Sequence, residues 1–269
     1  MMAGVPLITF LSDYGTCDEF VGVCHAVMAR RCPSARVIDL AHGIARHDVR
    51  AGALALRAAL QYAPAGVHLA VVDPGVGGER RAVAVRVASA DRFLVGPDNG
   101  LLSLAAEALG GSVEAADIGD SPECLRPISA TFHGRDVFAP VAAALAGGAC
   151  LRDVGEAVDP AGLATLALPQ ARRDGERLIA HVLSTDVYGN LALDATVEQV
   201  AAAPGVPLLV ETAGTATPAR LARTFSDVET GELLAYSDAR GALALAVNGG
   251  SAAHTLALAI DDEVVLRPR

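Results

Sequence analysis

A chain of 269 residues, 52 % of them hydrophobic, is long enough for two modest domains and a sizeable core. No apolar stretch is long enough to span a bilayer, and a net charge of −10 with a sequence pI of about 5.1 leaves no basic stripe for nucleic acid. Lysine is absent, so all 21 basic side chains are arginine, which rules out Walker-type phosphate binding, Schiff-base chemistry and lysine general bases.

Pro6–Leu11 reads as a first strand running into Asp13, with no basic secretory region before it. Phe20, Val23, Cys24, Val27 and Met28 recur at helical spacing, with Asp18 expected as the cap. Val37–Leu40 reads as a strand, and Asp48 caps a helix that presents Val49, Ala53, Leu56 and Leu60 on one face. Strands at Val67–Val72, Ala82–Val87 and Phe93–Val95 follow, then helices over Leu101–Leu109 and Val137–Leu145. This alternation predicts an N-terminal α/β domain, residues 1–168, with a largely parallel sheet covered by helices on both sides.

The composition shifts at Leu168–Gly175, so 169–175 read as a linker and 176–269 as a second domain. Short strands separated by turn signals are expected at Leu178–Leu183, Leu191–Leu193, Pro207–Glu211, Glu232–Tyr236, Ala242–Val247, Thr255–Ile260 and Glu263–Leu266. They predict a small all-β domain, barrel-like or a sandwich. The five cysteines, Cys17, Cys24, Cys32, Cys124 and Cys150, are odd in number and lack metal-type spacing; reduced thiols in a cytoplasmic protein are the expectation.

Three polar clusters follow strands: Ser12-Asp13-Tyr14-Gly15, Asp73-Pro74-Gly75-Val76-Gly77 and Pro97-Asp98-Asn99-Gly100. A fourth, Thr131-Phe132-His133-Gly134-Arg135-Asp136, precedes a helical run. Loops at the carboxyl ends of strands form the ligand crevice of an open α/β sheet, so the clusters are expected to converge. A carboxylate at Asp13 suits ribose hydroxyls, because it accepts two hydrogen bonds side by side; the plain structural reading is a helix cap. No G-x-G-x-x-G occurs, which disfavours an ordinary dinucleotide fold.

The glycines after Asp73 permit a tight loop that lets Arg80 fold back towards it, although a strand-exit turn with a surface ion pair also accounts for the pattern. His133, between a phenylalanine and Gly-Arg-Asp, is a candidate for proton transfer, against the alternative of a satisfied structural histidine. The three asparagines, Asn99, Asn190 and Asn248, all touch glycine, and turn chemistry explains each one singly.

Thr-Phe-His-Gly-Arg-Asp, Asp-Pro-Gly-Val-Gly-x-x-Arg, Pro-Asp-Asn-Gly, Asp-x-Tyr-Gly-Asn and Ala-Val-Asn-Gly-Gly-Ser-Ala-Ala, in that combination, resemble the S-adenosyl-L-methionine hydroxide adenosyltransferases. These are water-using relatives of the fluorinases and chlorinases. The resemblance runs from Asp13 to Ala253. It implies a homotrimer, with the nucleoside held between the α/β domain of one subunit and the β domain of its neighbour. It also implies an Asp–Arg–His water site, which falls on Asp73, Arg80 and His133. The fluorinase branch has tyrosine at the position of Asp73 and Tyr-Ser at His133-Gly134, so this chain sides with the hydrolases. By the same resemblance Asp13 holds the ribose, Asp186 and Asn190 hold the methionine amino group and the adenine, and Arg240 lies near the methionine carboxylate. Asn248 and Gly249 complete the implied substrate contacts. Ala239 stands where a serine is expected and Ala244 where the hydrolases carry glutamate. His47 takes the place of the fluorinase tryptophan, as it does in the hydrolases.

The implied reaction converts S-adenosyl-L-methionine and water to adenosine and L-methionine, with no cofactor and no metal. Two other readings stay open on sequence. Asp13, Asp73, Asp98, Asn99 and His133 would suit a metal-dependent phosphohydrolase. The same binding residues would also serve a sensor that holds the ligand without turnover.

Overall fold

In the computed structural model, which describes residues 5–89 and 91–269, the chain divides into two compact units, one ending at Leu166 and the next beginning at Ala167. The first contains β1 (Leu7–Ser12), α1 (Phe20–Arg31), β2 (Arg36–Ala41), α2 (Val49–Leu60), β3 (Gly66–Val71), β4 (Ala82–Val87), β5 (Arg92–Pro97), α3 (Ser103–Ala108), β6 (Ser112–Asp117), α4 (Ala139–Ala146), α5 (Leu151–Val154) and β7 (Glu156–Val158). Its seven strands form one sheet in the order β2-β1-β3-β5-β4-β6-β7. The β2-β1-β3-β5 half is parallel, and β1 and β3 are buried along their whole length, as the apolar runs in their sequences require. Beyond β5 the sheet is antiparallel. Only four residues separate β4 from β5, too few for a parallel crossover, so the two make a hairpin.

Asp48 caps α2, its Oδ1 accepting from the Ala51 N–H at 2.8 Å. Asp18 does not cap α1: the N-cap position is Glu19, already helical in its backbone. The helix expected at Val137–Leu145 starts earlier and wider, as a π-helical turn over Gly134–Phe138 that passes into α4. All eight residues of α4 are buried, which suits a helix apolar on every face and packed between α1 and the sheet.

The second unit holds β8 (Arg172–Asp174), β9 (Arg177–Thr185), β10 (Leu191–Leu193), β11 (Pro207–Thr212), β12 (Thr215–Leu221), β13 (Leu233–Ser237), β14 (Leu243–Val247), α6 (Ala252–Leu256) and β15 (Glu263–Pro268). Seven strands close a barrel in the order β9-β10-β14-β13-β12-β11-β15, with β15 pairing back onto β9. Alternate residues such as Leu243, Leu245 and Val247 fill its interior.

Part of the expected linker, Arg172–Asp174, is β8, which pairs with β9 across a tight turn. The strand expected at Thr255–Ile260 is instead the end of α6 and a turn. Ser251 Oγ accepts from the His254 N–H and starts the helix, and Ala257 ends it at φ 51°. β12 escapes the strand signals because it contains Pro218. Its pairing with β13 is confined to Arg220 and Leu221, so Pro218 interrupts no bond on that side. Among the described residues no helix is long and apolar enough to cross a membrane.

Candidate active site

Register alone brings the first clusters together. Ser12 of β1 lies beside Val71 of β3, so Asp13 and Asp73 leave adjacent strands at the same edge of the sheet. The Asp13 N–H donates to the Val71 carbonyl there. β4 runs the other way, with Ala82 opposite Pro97 at the end of β5, so Arg80 enters β4 at that same edge. The antiparallel β4 therefore delivers an arginine to a rim otherwise made of strand ends.

Arg80 organises this edge. Its Nε donates to Asp73 Oδ1 at 2.9 Å and its Nη2 donates to Asp73 Oδ2, a bidentate pair that is largely buried. The same Nη2 lies 2.9 Å from His133 Nδ1. A guanidinium has no acceptor, so Nδ1 must accept and the neutral imidazole carries its proton on Nε2. Partial desolvation, and then the adjacent Arg80 charge, hold His133 below the ordinary histidine range. The guanidinium also lies over the Phe138 ring, 5.4 Å from its centroid.

Two glycines explain why these loops meet. A Cβ on Gly77, at φ 75°, would collide with the Ala130 carbonyl, so the Asp73–Arg80 loop can press against the segment that carries His133. A Cβ on Gly134 would collide with the Tyr14 hydroxyl, so the Asp13 loop presses on the same segment from the other side. Tyr14 packs edge-on against Phe10 and Phe132. Burial, with Cys24, Asp13 and Asp73 nearby, pushes its phenol far up and keeps it neutral. Sequence reasoning singled out neither Tyr14 nor Phe138 as part of the site; the Ser-Asp-Tyr-Gly cluster was the available signal for Tyr14.

Asp13 Oδ2 accepts from the His47 N–H at 2.9 Å, and His47 adopts a left-handed backbone, φ 65°, to provide it. Asp98 is engaged elsewhere, by Arg81 at 2.7 Å and by the Ala164 N–H at 2.7 Å. Asn99 is a turn residue: its Nδ2 donates to the Val72 carbonyl and its Oδ1 accepts from the Leu101 N–H. Among the described residues Asp13, Asp73, Asp98, Asn99 and His133 do not converge as a metal-ligand set. With arginine charges on Asp73 and Asp98, the phosphohydrolase reading loses its cage.

In the second unit Asp186 and Asn190 are joined. Asn190 Nδ2 donates to Asp186 Oδ2 at 2.8 Å, and Asp186 Oδ1 accepts from the backbone of Tyr188 and Asn190. Their turn is tied to α6 by the Ala253 N–H, which donates to the Gly189 carbonyl. Asn248 and Gly249 end β14 on that side, with Asn248 Nδ2 donating to the Val228 carbonyl. Arg240 is exposed in the hairpin turn before β14, separated from Asn248 by the length of that strand.

The chain matches two consecutive family descriptions: the SAM hydroxide adenosyltransferase N-terminal domain over residues 8–155, and the C-terminal domain over 180–265. The chain belongs to the SAM hydroxide adenosyltransferase family. Among its relatives is the (R)-S-adenosyl-L-methionine hydrolase of Salinispora tropica, 48 % identical over 98 % of both chains. The protein of that name from Thermus thermophilus is 43 % identical over 93 % of this chain and 95 % of its own. A fluorinase of an Actinoplanes species is more distant, 27 % identical over 93 % of this chain and 94 % of its own. Among solved structures, an uncharacterized conserved protein from Thermotoga maritima superposes with a TM-score of 0.89 at 35 % identity, covering 97 % of this chain and 99 % of that one.

Proposed function

We infer that this SAM hydroxide adenosyltransferase hydrolyses S-adenosyl-L-methionine, water attacking the ribose C5′ in line with the departing sulfur, to give adenosine and L-methionine. The observation that carries the reading is the single Arg80 guanidinium shared by Asp73 and His133. The leaving group departs as a neutral thioether, so neither a general acid nor a cofactor is needed. Positive charge disappears from sulfur as the new bond forms, so a dry pocket favours the transition state.

The nucleophile is the difficult part, because neutral water is weak. With Nδ1 accepting from Arg80, His133 presents Nε2–H and orients the water as a donor. Asp73 carries the negative charge and receives the proton, while Arg80 holds both groups in place. In this reading Asp13 grips the ribose, Asn190 the adenine, Asp186 the methionine amino group and Arg240 its carboxylate, with Asn248 and Gly249 lining the substrate. The resemblance supports a homotrimer with substrate held at subunit boundaries, and the odd, unspaced cysteines support a cytoplasmic location; light scattering on the purified chain tests the trimer.

Incubation with S-adenosyl-L-methionine in ¹⁸O-water, followed by mass spectrometry, tests the reaction. Label is expected in the adenosine 5′-hydroxyl, with turnover persisting in the presence of a chelator. High chloride or fluoride is expected to give no 5′-halo-nucleoside, because the Asp73 carboxylate repels a halide. Label in methionine, or recovery of intact ligand only, would refute hydrolysis at C5′.

A further inference from the structure

We propose that His25, Asp39 and His42 form a site for one zinc-class divalent ion per chain, set behind the Asp13 loop and separate from the Asp73–Arg80–His133 cluster. His25 on α1 places its Nε2 2.8 Å from Asp39 Oδ1, and His42, just after β2, places its Nε2 3.0 Å from the same oxygen. The three ligand atoms all lie within 4.8 Å of one another. In a tetrahedral zinc site with bonds of about 2.0–2.1 Å, neighbouring ligand atoms stand roughly 3.3 Å apart, close to the two histidine–aspartate separations here.

The second observation is independent of that clustering. The His42 side chain is 5 % exposed, and its Nε2 is buried without a hydrogen-bond partner. It is near the Asp39 oxygen but off the line that an N–H···O bond needs. If Nε2 carries a proton, a buried donor is left unsatisfied; if it does not, a lone pair faces a carboxylate oxygen. A cation bound by all three groups removes both conflicts. The outer contacts are those of a metal-binding histidine. His42 Nδ1 bonds Ser12 Oγ at 2.7 Å, which fixes the ring, and the Phe10 ring packs against it at 4.7 Å between centroids. His25 and Asp39 are partly exposed, 34 % and 45 %, which gives the ion an entry path and water as a fourth ligand. Two imidazoles with one carboxylate select zinc, cobalt or nickel over the oxygen-seeking magnesium and calcium.

Such an ion would join α1 to β2 and to the loop beneath the proposed ribose carboxylate. The His42 carbonyl accepts from the Gly15 N–H at 2.7 Å, two residues past Asp13. Its part is to brace that loop, and the chemical step stays with the Arg80 cluster.

The test is calorimetric titration of the full, tag-free chain with zinc chloride after chelator treatment and dialysis, with cobalt chloride as an absorption probe. One zinc per chain and the visible spectrum of four-coordinate cobalt are expected. His25→Ala, at a half-exposed position that tolerates truncation, should weaken zinc at least 100-fold. Ser12→Ala should weaken it about 10–100-fold, through loss of the ring's outer partner. His133→Ala, in the other His–Asp cluster, should leave zinc affinity unchanged. Failure to bind zinc, equal binding of magnesium, or zinc binding that survives His25→Ala intact or is lost in His133→Ala would overturn the proposal.

Discussion

At the carboxyl edge of the first unit's sheet an arginine stands between an aspartate and a histidine. Behind the loop that follows β1, an aspartate stands between two histidines. The residue types overlap, but the central charge differs, and that charge sets what the imidazoles do. Facing Arg80, His133 must present a lone pair at Nδ1, and the neighbouring cation disfavours a second positive charge. Facing Asp39, His25 and His42 turn Nε2 atoms towards negative charge, an arrangement that suits a metal ion. A histidine's role is therefore read from the group its ring nitrogens face.

The largest effect should come from removing the centre of the first cluster. Arg80→Met leaves the buried Asp73 carboxylate unpaired and His133 unheld. Turnover should fall by about 10³-fold or more, and stability by about 3–5 kcal/mol. Adenosine release and urea denaturation measure the two; turnover within tenfold of the parent would mean that Arg80 is not the organiser.

Next come the groups Arg80 holds. His133→Ala and Asp73→Asn should each lower kcat about 10²–10⁴-fold with little change in KM. The pH dependence follows from the direction of the His133 shift. Protonation at Nδ1 would break the bond from Arg80 and set two cations together, so activity should be full at neutral pH and fall as pH drops through the lowered pKa. A rate that instead rises on acidification would contradict the neutral imidazole.

Asp13→Ala should weaken adenosine and S-adenosyl-L-methionine alike, by on the order of 10–100-fold, the worth of a charge-assisted hydrogen bond. Calorimetry with adenosine decides it, and undiminished affinity would remove Asp13 from the ribose.

The smallest effect sharpens the comparison with a third histidine. His68 lies in β3 with Nδ1 bonded to Thr9 Oγ1 at 2.9 Å, and Arg92 faces its Nε2 at 3.4 Å. Burial, and then Arg92, push it down to about 3. Because the unfolded chain takes the proton first, the stability contributed by neutral His68 is intact above about pH 6.5 and is lost on acidification. His68→Leu should therefore remove about 2 kcal/mol of the stability difference between pH 7 and pH 5. Denaturation midpoints at the two pH values check this; an unchanged difference would show that His68 does not titrate on unfolding.

Much of the candidate site was legible in the sequence, because strand-exit loops carry recognisable polar clusters. Asp13 and Asp73 were marked by apolar runs that end in polar loops, Arg80 by the glycine loop after Asp73, and His133 by its place beside Gly-Arg-Asp before a helical run. Asn99 closes a turn, as asparagine beside glycine was expected to, and only its place in the metal-cage reading is lost. In the second unit alternation identified most barrel strands. It failed at Thr255–Ile260, where the cap at Ser251 outweighs β-propensity, and at β12, where Pro218 hides a strand with a sparsely paired flank.

Local pattern by itself determined most element types, the division into an α/β half and a β half, and the residues that leave strand ends. Those properties depend on side-chain periodicity and turn chemistry within a few residues. Tertiary structure decided which groups touch. The antiparallel course of β4 returns Arg80 to the edge where Asp73 emerges, and Gly77 and Gly134 permit backbone approaches that no spacing announces. His25, Asp39 and His42 come from a helix, a strand and a loop, and each looks unremarkable in its own segment. Their meeting depends on how α1 packs against the sheet, an interaction between distant segments that a linear pattern does not encode.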